Sequence, residues 1–270
     1  MIALESPASV RRALSSGTWL RSTAGLAPGF VQCNLVVLPA ALADAFEDFC
    51  QLNPGPCPLV ERLAPGAYQP ACAAGSDLRT DLGLYKVWRD GELIDEVANV
   101  RAAWRSDLVS FLLGCSFSMD AALAQAGVTL RHLEQGRHIP AYVSSVECRP
   151  VGPFRGPQVL SLRPLPFEEV STAVAESRRH PIAHGEPVHV GDPAAVGITE
   201  LSRPDFGDPP LPEPDDQFVF WSCGITPQVV CRGARPDLMF SHSRGRMFVT
   251  DIPLAGAHVK VAKRIEEAGR

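Results

Sequence analysis

The chain alternates apolar runs of strand length with amphipathic stretches, and glycine and proline punctuate both. Val31 to Leu38 is a near-continuous apolar run, the pattern of a buried parallel strand. Pro39 opens a stretch with Leu42, Phe46 and Phe49 on one helical face, and Asn53-Pro54 stops it. Ser6-Pro7 starts an earlier helix that Gly17 ends. Leu84 to Trp88 and Leu93 to Val97 flank Arg89-Asp90-Gly91-Glu92, a hairpin signal. Trp104, Leu108, Phe111 and Leu112 fall at helical spacing and predict a helix whose aromatic stripe is core. Gly114-Cys115-Ser116-Phe117-Ser118 interrupts that stripe. Ser118 then caps a second short helix that Gly127 closes.

Ala141 to Glu147 and Val159 to Arg163 read as a strand pair joined by a Pro/Gly-rich loop. Pro166 opens a helix with Phe167, Val170 and Val174 inward. Arg178, Arg179 and His180 sit at its C-terminal end, where the helix dipole favours cations. This ββα piece reads as a smaller subdomain. Asn53 to Gly75 has no periodicity and is an ordered loop at best, and Pro204 to Asp216 is a proline- and acid-rich connector. Strands at Phe218 to Cys223 and Arg246 to Ile252 follow, then a terminal amphipathic helix from about His258. Val31 to Leu38, Phe218 to Cys223 and Met247 to Ile252 are expected in one largely buried sheet with helices on both faces. No internal repeat is visible.

Composition narrows the function. The 270 residues suffice for one large domain or two modest ones. The net charge is −5 and no basic stripe follows any predicted helix, so nucleic acid is not an expected partner. Met1-Ile2-Ala3-Leu4-Glu5 lacks a basic and apolar leader pattern, and no run of about 18 apolar residues exists. A cytoplasmic protein with no membrane partner and reduced thiols is the expectation; a homo-oligomer stays open. Eight cysteines without CxxC spacing disfavour a zinc ribbon, and no metal or other cofactor is expected. The chain has no GxGxxG, P-loop or GxSxG motif, which leaves nucleotide and serine-hydrolase readings without support.

Four segments carry candidate chemistry. In Phe220-Trp221-Ser222-Cys223-Gly224-Ile225-Thr226-Pro227-Gln228, an apolar strand ends on a thiol, Thr226 stands where an N-cap belongs and Pro227 where a helix begins. A helix N-terminus attracts anions and can lower a thiol pKa. The plainer reading is a strand-to-helix turn with a buried cysteine. The segment from His184 to Pro193 holds His184, Glu186, His189 and Asp192 between glycines and prolines. Its histidines suit acid–base work, or His189 and Asp192 merely bond loop backbone. Ser76-Asp77-Leu78-Arg79-Thr80-Asp81 offers Arg79 as a carboxylate fork, or as an internal ion pair. Ser241-His242-Ser243-Arg244-Gly245-Arg246 precedes a strand and reads as a turn.

Taken together, these segments resemble the hydro-lyase family that includes D-glutamate cyclase. The matching blocks are Val31-Gln32-Cys33-Asn34-Leu35-Val36-Val37-Leu38-Pro39, Asn53-Pro54-Gly55-Pro56-Cys57-Pro58-Leu59, Asp77-Leu78-Arg79-Thr80-Asp81, Gly114-Cys115-Ser116-Phe117-Ser118, His184 to Pro193, Phe220 to Gln228 and Met247-Phe248-Val249-Thr250-Asp251. The resemblance implies an α/β fold: a three-layer α/β/α domain, 1–138 plus 190–270, with a smaller two-layer α+β subdomain, 139–189. It implies closure of D-glutamate to 5-oxo-D-proline with loss of water, without a cofactor. On that reading Arg79 holds a substrate carboxylate, aided by Asp81, Asn53 and His242. The helix start at Thr226 to Gln228 serves the oxyanion. His184 or His189, oriented by Asp192, moves protons, with Cys115 and Cys223 in reserve. The chain departs from the family pattern at Gly83, at Val143-Ser144-Ser145, and at Arg246, where a histidine usually stands. Rival readings are another lyase on a small carboxylate, a non-catalytic binder of acidic amino acids, and a metal-dependent hydrolase.

Overall fold

The computed structural model describes residues 4–257. The C-terminal helix expected from about His258 lies outside them. In chain order the elements are α1 (Pro7–Ser15), β1 (Phe30–Pro39), α2 (Ala40–Leu52), β2 (Leu59–Arg62), β3 (Tyr85–Arg89), β4 (Glu92–Val97), β5 (Leu108–Gly114), α3 (Phe117–Gln125), α4 (Arg131–Glu134), β6 (Ala141–Glu147), β7 (Pro157–Pro166), α5 (Val170–Arg178), β8 (His189–Val190), β9 (Asp216–Ser222), α6 (Thr226–Ala234), β10 (Met239–His242) and β11 (Phe248–Pro253). The fold is mixed α/β with two antiparallel sheets. The larger runs β2-β5-β1-β10-β3-β4, with β11 also paired to β1; the smaller runs β6-β7-β9-β8.

The pattern of β1 follows from its place. Phe46, Phe49 and Cys50 of α2 and Val230 and Cys231 of α6 cover one face of the large sheet, packing on Val36, Leu38, Val109 and Phe111. On the other face Val31, Cys33, Leu35 and Val37 meet Leu63, Cys72, Ala73, Leu78 and Leu82. Leu63, Cys72 and Ala73 belong to the non-periodic 53–75 stretch and Leu78 and Leu82 follow it, so an ordered segment supplies most of that face's cover, joined by Ile182 and by Ala122 of α3. Covered twice, β1 is buried from Val31 to Pro39. All its ladder partners are nevertheless antiparallel. A continuous apolar run reports burial on both faces and says nothing about strand direction.

Three further expectations are corrected. Residues 108–114 form β5, not a helix, and every one of them is buried. Val109 and Leu113 fill the gaps in the apparent helical stripe, and pairing to β1 along seven residues decides the outcome. Phe218 to Cys223 does not join the large sheet: β9 pairs with β7 from Leu160↔Ser222 to Pro166↔Asp216. Phe167 is 73% exposed, since it begins a short 3-10 turn before α5 and points away from the core. The predicted core role of the 104–112 aromatics stands: Trp104 stacks on Phe240 and Phe111 meets Phe46 edge-on. The β3–β4 hairpin and the β6–β7 pair form as expected.

Candidate functional site

The two sheets meet where three chain turns converge. The first follows β5. Gly114 lies so close to the Ile182 carbonyl that a Cβ there would overlap it. The Asn34 side chain donates to the Gly114 carbonyl at 2.9 Å, and Cys115 N–H donates to Gln32 O at 3.0 Å. Cys115 is thereby fixed just before α3. The second turn follows β9. Cys223 N–H donates to Val159 O at 2.9 Å, and Thr226 N–H to Cys223 O at 3.0 Å. Gly224 packs directly against the Asn34 amide. The third is the end of β10, where His242 sits.

These turns wall a cavity of about 220 Å³, lined by Asn34, Cys115, Ser116, Ser161, Cys223 and His242 among others. The 132–139 segment and Phe206-Gly207 close its far side. An annex of about 700 Å³ shares Ser22, His138, Phe206, Ile225, His242 and Arg244 with it and adds Arg21, Lys86, Glu96, Gln228, Ser243 and Arg246. The inner chamber is largely apolar and the annex is cationic.

Burial sets the protonation states. It pushes the Cys115 thiol up to about 12, against the lowering effect of the Phe117 N–H. It pushes Cys223 up to about 11, where the Ile225 N–H and the Arg163 charge pull the other way. The helix-start donors expected to acidify Cys223 are thus present, but desolvation outweighs them. His242 is held down to about 4 by burial. Its Nδ1 accepts from Leu35 N–H at 3.2 Å. The ring is therefore neutral at working pH; Nδ1 also lies 3.4 Å from Leu35 O, and the Gln228 amide nitrogen, a donor, stands 3.2 Å from Nε2. Burial also lowers the Lys86 ammonium.

Behind the chamber lies a buried ion pair. Arg163, 1% exposed, donates to Asp120 at 2.7 Å and lies 5.2 Å from the Trp221 ring. Its Nε and Nη1 have no partner. His132 Nε2 stands 3.8 Å from the other Asp120 oxygen, and His132 also lines the chamber.

Of the residues singled out from sequence, Cys115, Cys223, His242 and Gln228 come together here. Thr226 does not line the cavity. It is the first residue of α6 and not its cap, and its hydroxyl accepts from Val159 N–H at 2.9 Å, tying α6 to β7. His184 is buried outside the cavity, with Nδ1 2.8 Å from Gly55 O and its pKa held down to about 4 by burial. It also adopts φ +80°, a left-handed conformation uncommon for non-glycine residues. His189 and Asp192 stay apart from the cavity: His189 Nε2 bonds Asp192 O at 2.8 Å, and Asp192 caps a 3-10 turn through Ala194 N–H. Arg79 forks onto Asp77 at 2.9 and 2.8 Å and stacks 3.4 Å from the Tyr68 ring centre. Asp81 accepts from Asp77 N–H and Thr80. Asn53 ties the end of α2 to Arg149 through two bonds. These three are structural in this geometry.

Sequence reasoning missed Asn34, His132, His138 and Arg244 as lining residues. A polar side chain inside the apolar run of β1 was the available signal for Asn34, because buried polar groups are the informative exception. His132 and His138 lie in a stretch without a sequence signal and Arg244 in a segment read as a turn, and only the fold brings them together. Among the described residues, no three His, Cys, Asp or Glu side chains are grouped to hold a metal ion. No described helix is long and apolar enough to cross a membrane.

The family profile described as D-glutamate cyclase matches residues 109–251, which carry Cys115, Cys223 and His242. A protein of Gluconacetobacter diazotrophicus named "Putative hydro-lyase" is 48% identical over 95% of this chain and 92% of its own length. Like-named proteins of Streptomyces coelicolor and Rhodococcus jostii are 52% identical over 85% and 49% over 92% of the chain, covering 83% and 95% of their own lengths. The chain belongs to this D-glutamate cyclase family of hydro-lyases.

Proposed function

We propose that the chain removes water from a small acidic amino acid, with closure of D-glutamate to 5-oxo-D-proline as the reaction. The observation that carries this reading is the convergence of two helix-start thiols and a neutral histidine on one apolar chamber beside a cationic annex. The annex attracts the α-carboxylate into a protein of net charge −5. Arg244, exposed and lining both chamber and annex, takes the anchoring role first assigned to Arg79. The γ-carboxyl then enters the chamber.

The α-ammonium first gives one proton to the γ-carboxylate, so that a free amine meets a carboxyl group, and ring closure then joins the α-nitrogen to the γ-carbon. The tetrahedral oxyanion needs a neutral donor already in place, and the Gln228 amide with the neutral His242 ring beside it supplies one at working pH. The departing oxygen needs a proton. A thiol with a raised pKa is protonated at neutral pH, so Cys115 or Cys223 can donate it. The thiolate left behind takes the proton that the nitrogen sheds. Lactam and water leave, and the thiol is restored without a redox change.

The test is incubation with D- and L-glutamate and chiral separation of 5-oxoproline. Turnover of the D-form that is lost in Cys115→Ser, Cys223→Ser and His242→Gln supports the reading. A second reading, a non-catalytic binder of small carboxylates, draws on Arg246 in place of the usual histidine. It predicts that glutamate raises the melting temperature by mass action while no 5-oxoproline forms.

A further inference from the structure

The annex is larger and more cationic than one carboxylate requires. Its volume of about 700 Å³ falls in the range of about 300–1,000 Å³ that holds drug-sized ligands. Arg21, Lys86, Arg244 and Arg246 line it against one carboxylate, Glu96, which already accepts from Ser243 at 2.8 Å. Among the described residues, neither Arg21 nor Arg244 is paired with a carboxylate, and both are exposed. Arg246 is 7% exposed and donates to the Trp19 carbonyl at 3.0 Å and to that of Leu20. Trp19 Nε1 closes the same segment onto Ser22 O at 3.0 Å, and Arg21 lies 4.3 Å from the Trp19 ring centre. Thr23 fastens its far end, donating from N–H to Gly245 O at 2.8 Å and accepting from Met247 N–H at 3.1 Å. Arg246 thus holds the 19–23 segment in the position that sets Arg21 on the wall of the annex that Arg244 also lines.

We propose that the annex is a subsite for a dianionic group of the phosphate-monoester class, on a ligand distinct from glutamate that competes with its α-carboxylate for Arg244. Arginine forks match phosphate oxygens in two-point fashion, and a dianion balances a wall of four cations better than a carboxylate does. The competition with glutamate rests on the cyclase-type reading above, whereas the phosphate subsite stands on the annex alone.

The experiment is calorimetric titration of the full chain at constant ionic strength and pH 8. Inorganic phosphate, glycerol 3-phosphate and acetate are compared. Phosphate and its ester are expected to bind at least tenfold more tightly than acetate. Arg21→Gln and Arg244→Gln should each weaken both by fivefold or more. Arg12→Gln, an exposed arginine of α1 outside the annex, should leave both unchanged. Phosphate binding no tighter than acetate, exclusion of the ester, or insensitivity to both annex substitutions would overturn the proposal. 5-Oxoproline formation from D-glutamate is followed on the same preparations, so failure of the subsite and failure of the cyclase reading register in separate measurements.

Discussion

Asn34 occupies the space that a side chain at position 224 would fill. Its amide also donates to Gly114 O at 2.9 Å, so one residue of β1 holds both thiol-bearing turns. Gly224→Ala should push Asn34 off the Gly114 carbonyl and move Cys115 and Cys223 apart. Overpacking of this kind costs about 1–3 kcal/mol. Chemical denaturation and turnover should both fall, and Asn34→Ser in the Gly224→Ala background should recover stability without recovering full activity. A fully active, fully stable Gly224→Ala protein would show that the contact does not position the thiols.

The thiols should be sluggish toward alkylation. With Cys115 near 12 and Cys223 near 11, little thiolate exists at pH 7.5. Iodoacetamide labelling mapped by peptide mass should be slow at both positions at neutral pH and accelerate above pH 10. Rapid neutral labelling of Cys223 would mean that the helix-start donors outweigh burial after all.

Acid should destabilise the protein through two histidines. His184 and His242 are held near 4, below the ordinary value of 6.5, so the unfolded chain binds more protons between those limits. Stability therefore rises with pH through that window and is lost as pH falls from about 6.5 toward 4. Each group contributes a slope of at most about 1.4 kcal/mol per pH unit. Denaturation midpoints measured from pH 7 to 4.5 should fall less steeply in His184→Gln and in His242→Gln than in the parent. Equal slopes in all three proteins would contradict the assignment.

Asp120 is the counterion of a cation almost wholly removed from water. Removing it with Asp120→Asn leaves Arg163 buried and unpaired, a change that typically costs about 3–5 kcal/mol. The Asp120 carboxyl is also held below the ordinary carboxylate range by the Arg163 charge, despite the opposing effect of burial. Its contribution is therefore present at neutral pH and fades only as pH falls through its lowered folded pKa. Replacing both partners together, as Asp120→Leu with Arg163→Met, should cost less than the single change. A double substitution as damaging as Asp120→Asn would remove the ion pair from this account.

Arg79→Lys separates anchoring from structure. Arg79 spends its fork on Asp77 and its face on Tyr68, away from the cavity. Lysine keeps the charge and loses both geometries. Melting should drop by an amount equivalent to about 1 kcal/mol, while glutamate-induced stabilisation stays at the parent value. Weakened glutamate binding would return Arg79 to the substrate.

Individual elements were more legible in the sequence than either the sheet pairing or the grouping of the site residues. Cys223 was readable as the end of an apolar run before a helix, a local arrangement that survives whatever sheet the strand enters, whereas Cys115 lay in a break between two predicted helices and came in only through the family resemblance. The allocation of β9 was not readable, since an apolar run does not name its ladder partner and β7 competed for it with the large sheet. The helical spacing in 108–112 misled because Leu108, Phe111 and Leu112 suit either period, and the seven-residue ladder to β1 overrode local preference. His189 and Asp192 were dense in polar function, yet the glycines and prolines around them serve a capped turn. Arg79 looked like an anchor because a free fork and a satisfied fork have the same sequence. The cationic annex was invisible for the opposite reason: Arg21, Lys86, Arg244 and Arg246 come from three distant stretches, and none forms a charged run by itself.

In the large sheet, β10 lies between β1 and β3, although it is made about two hundred residues after β1. During synthesis, β1 and β3 therefore emerge with facing edges open and wait for residues 239–242 to close them. Closure of a long loop adds only a logarithmic entropy cost, but pairing of such distant segments is slow. A nascent chain stalled before residue 239 should thus remain protease-sensitive throughout its first half and lack the His242 wall of the chamber. Folding and acquisition of the site should arrive together, as one event that waits for residues 239–242.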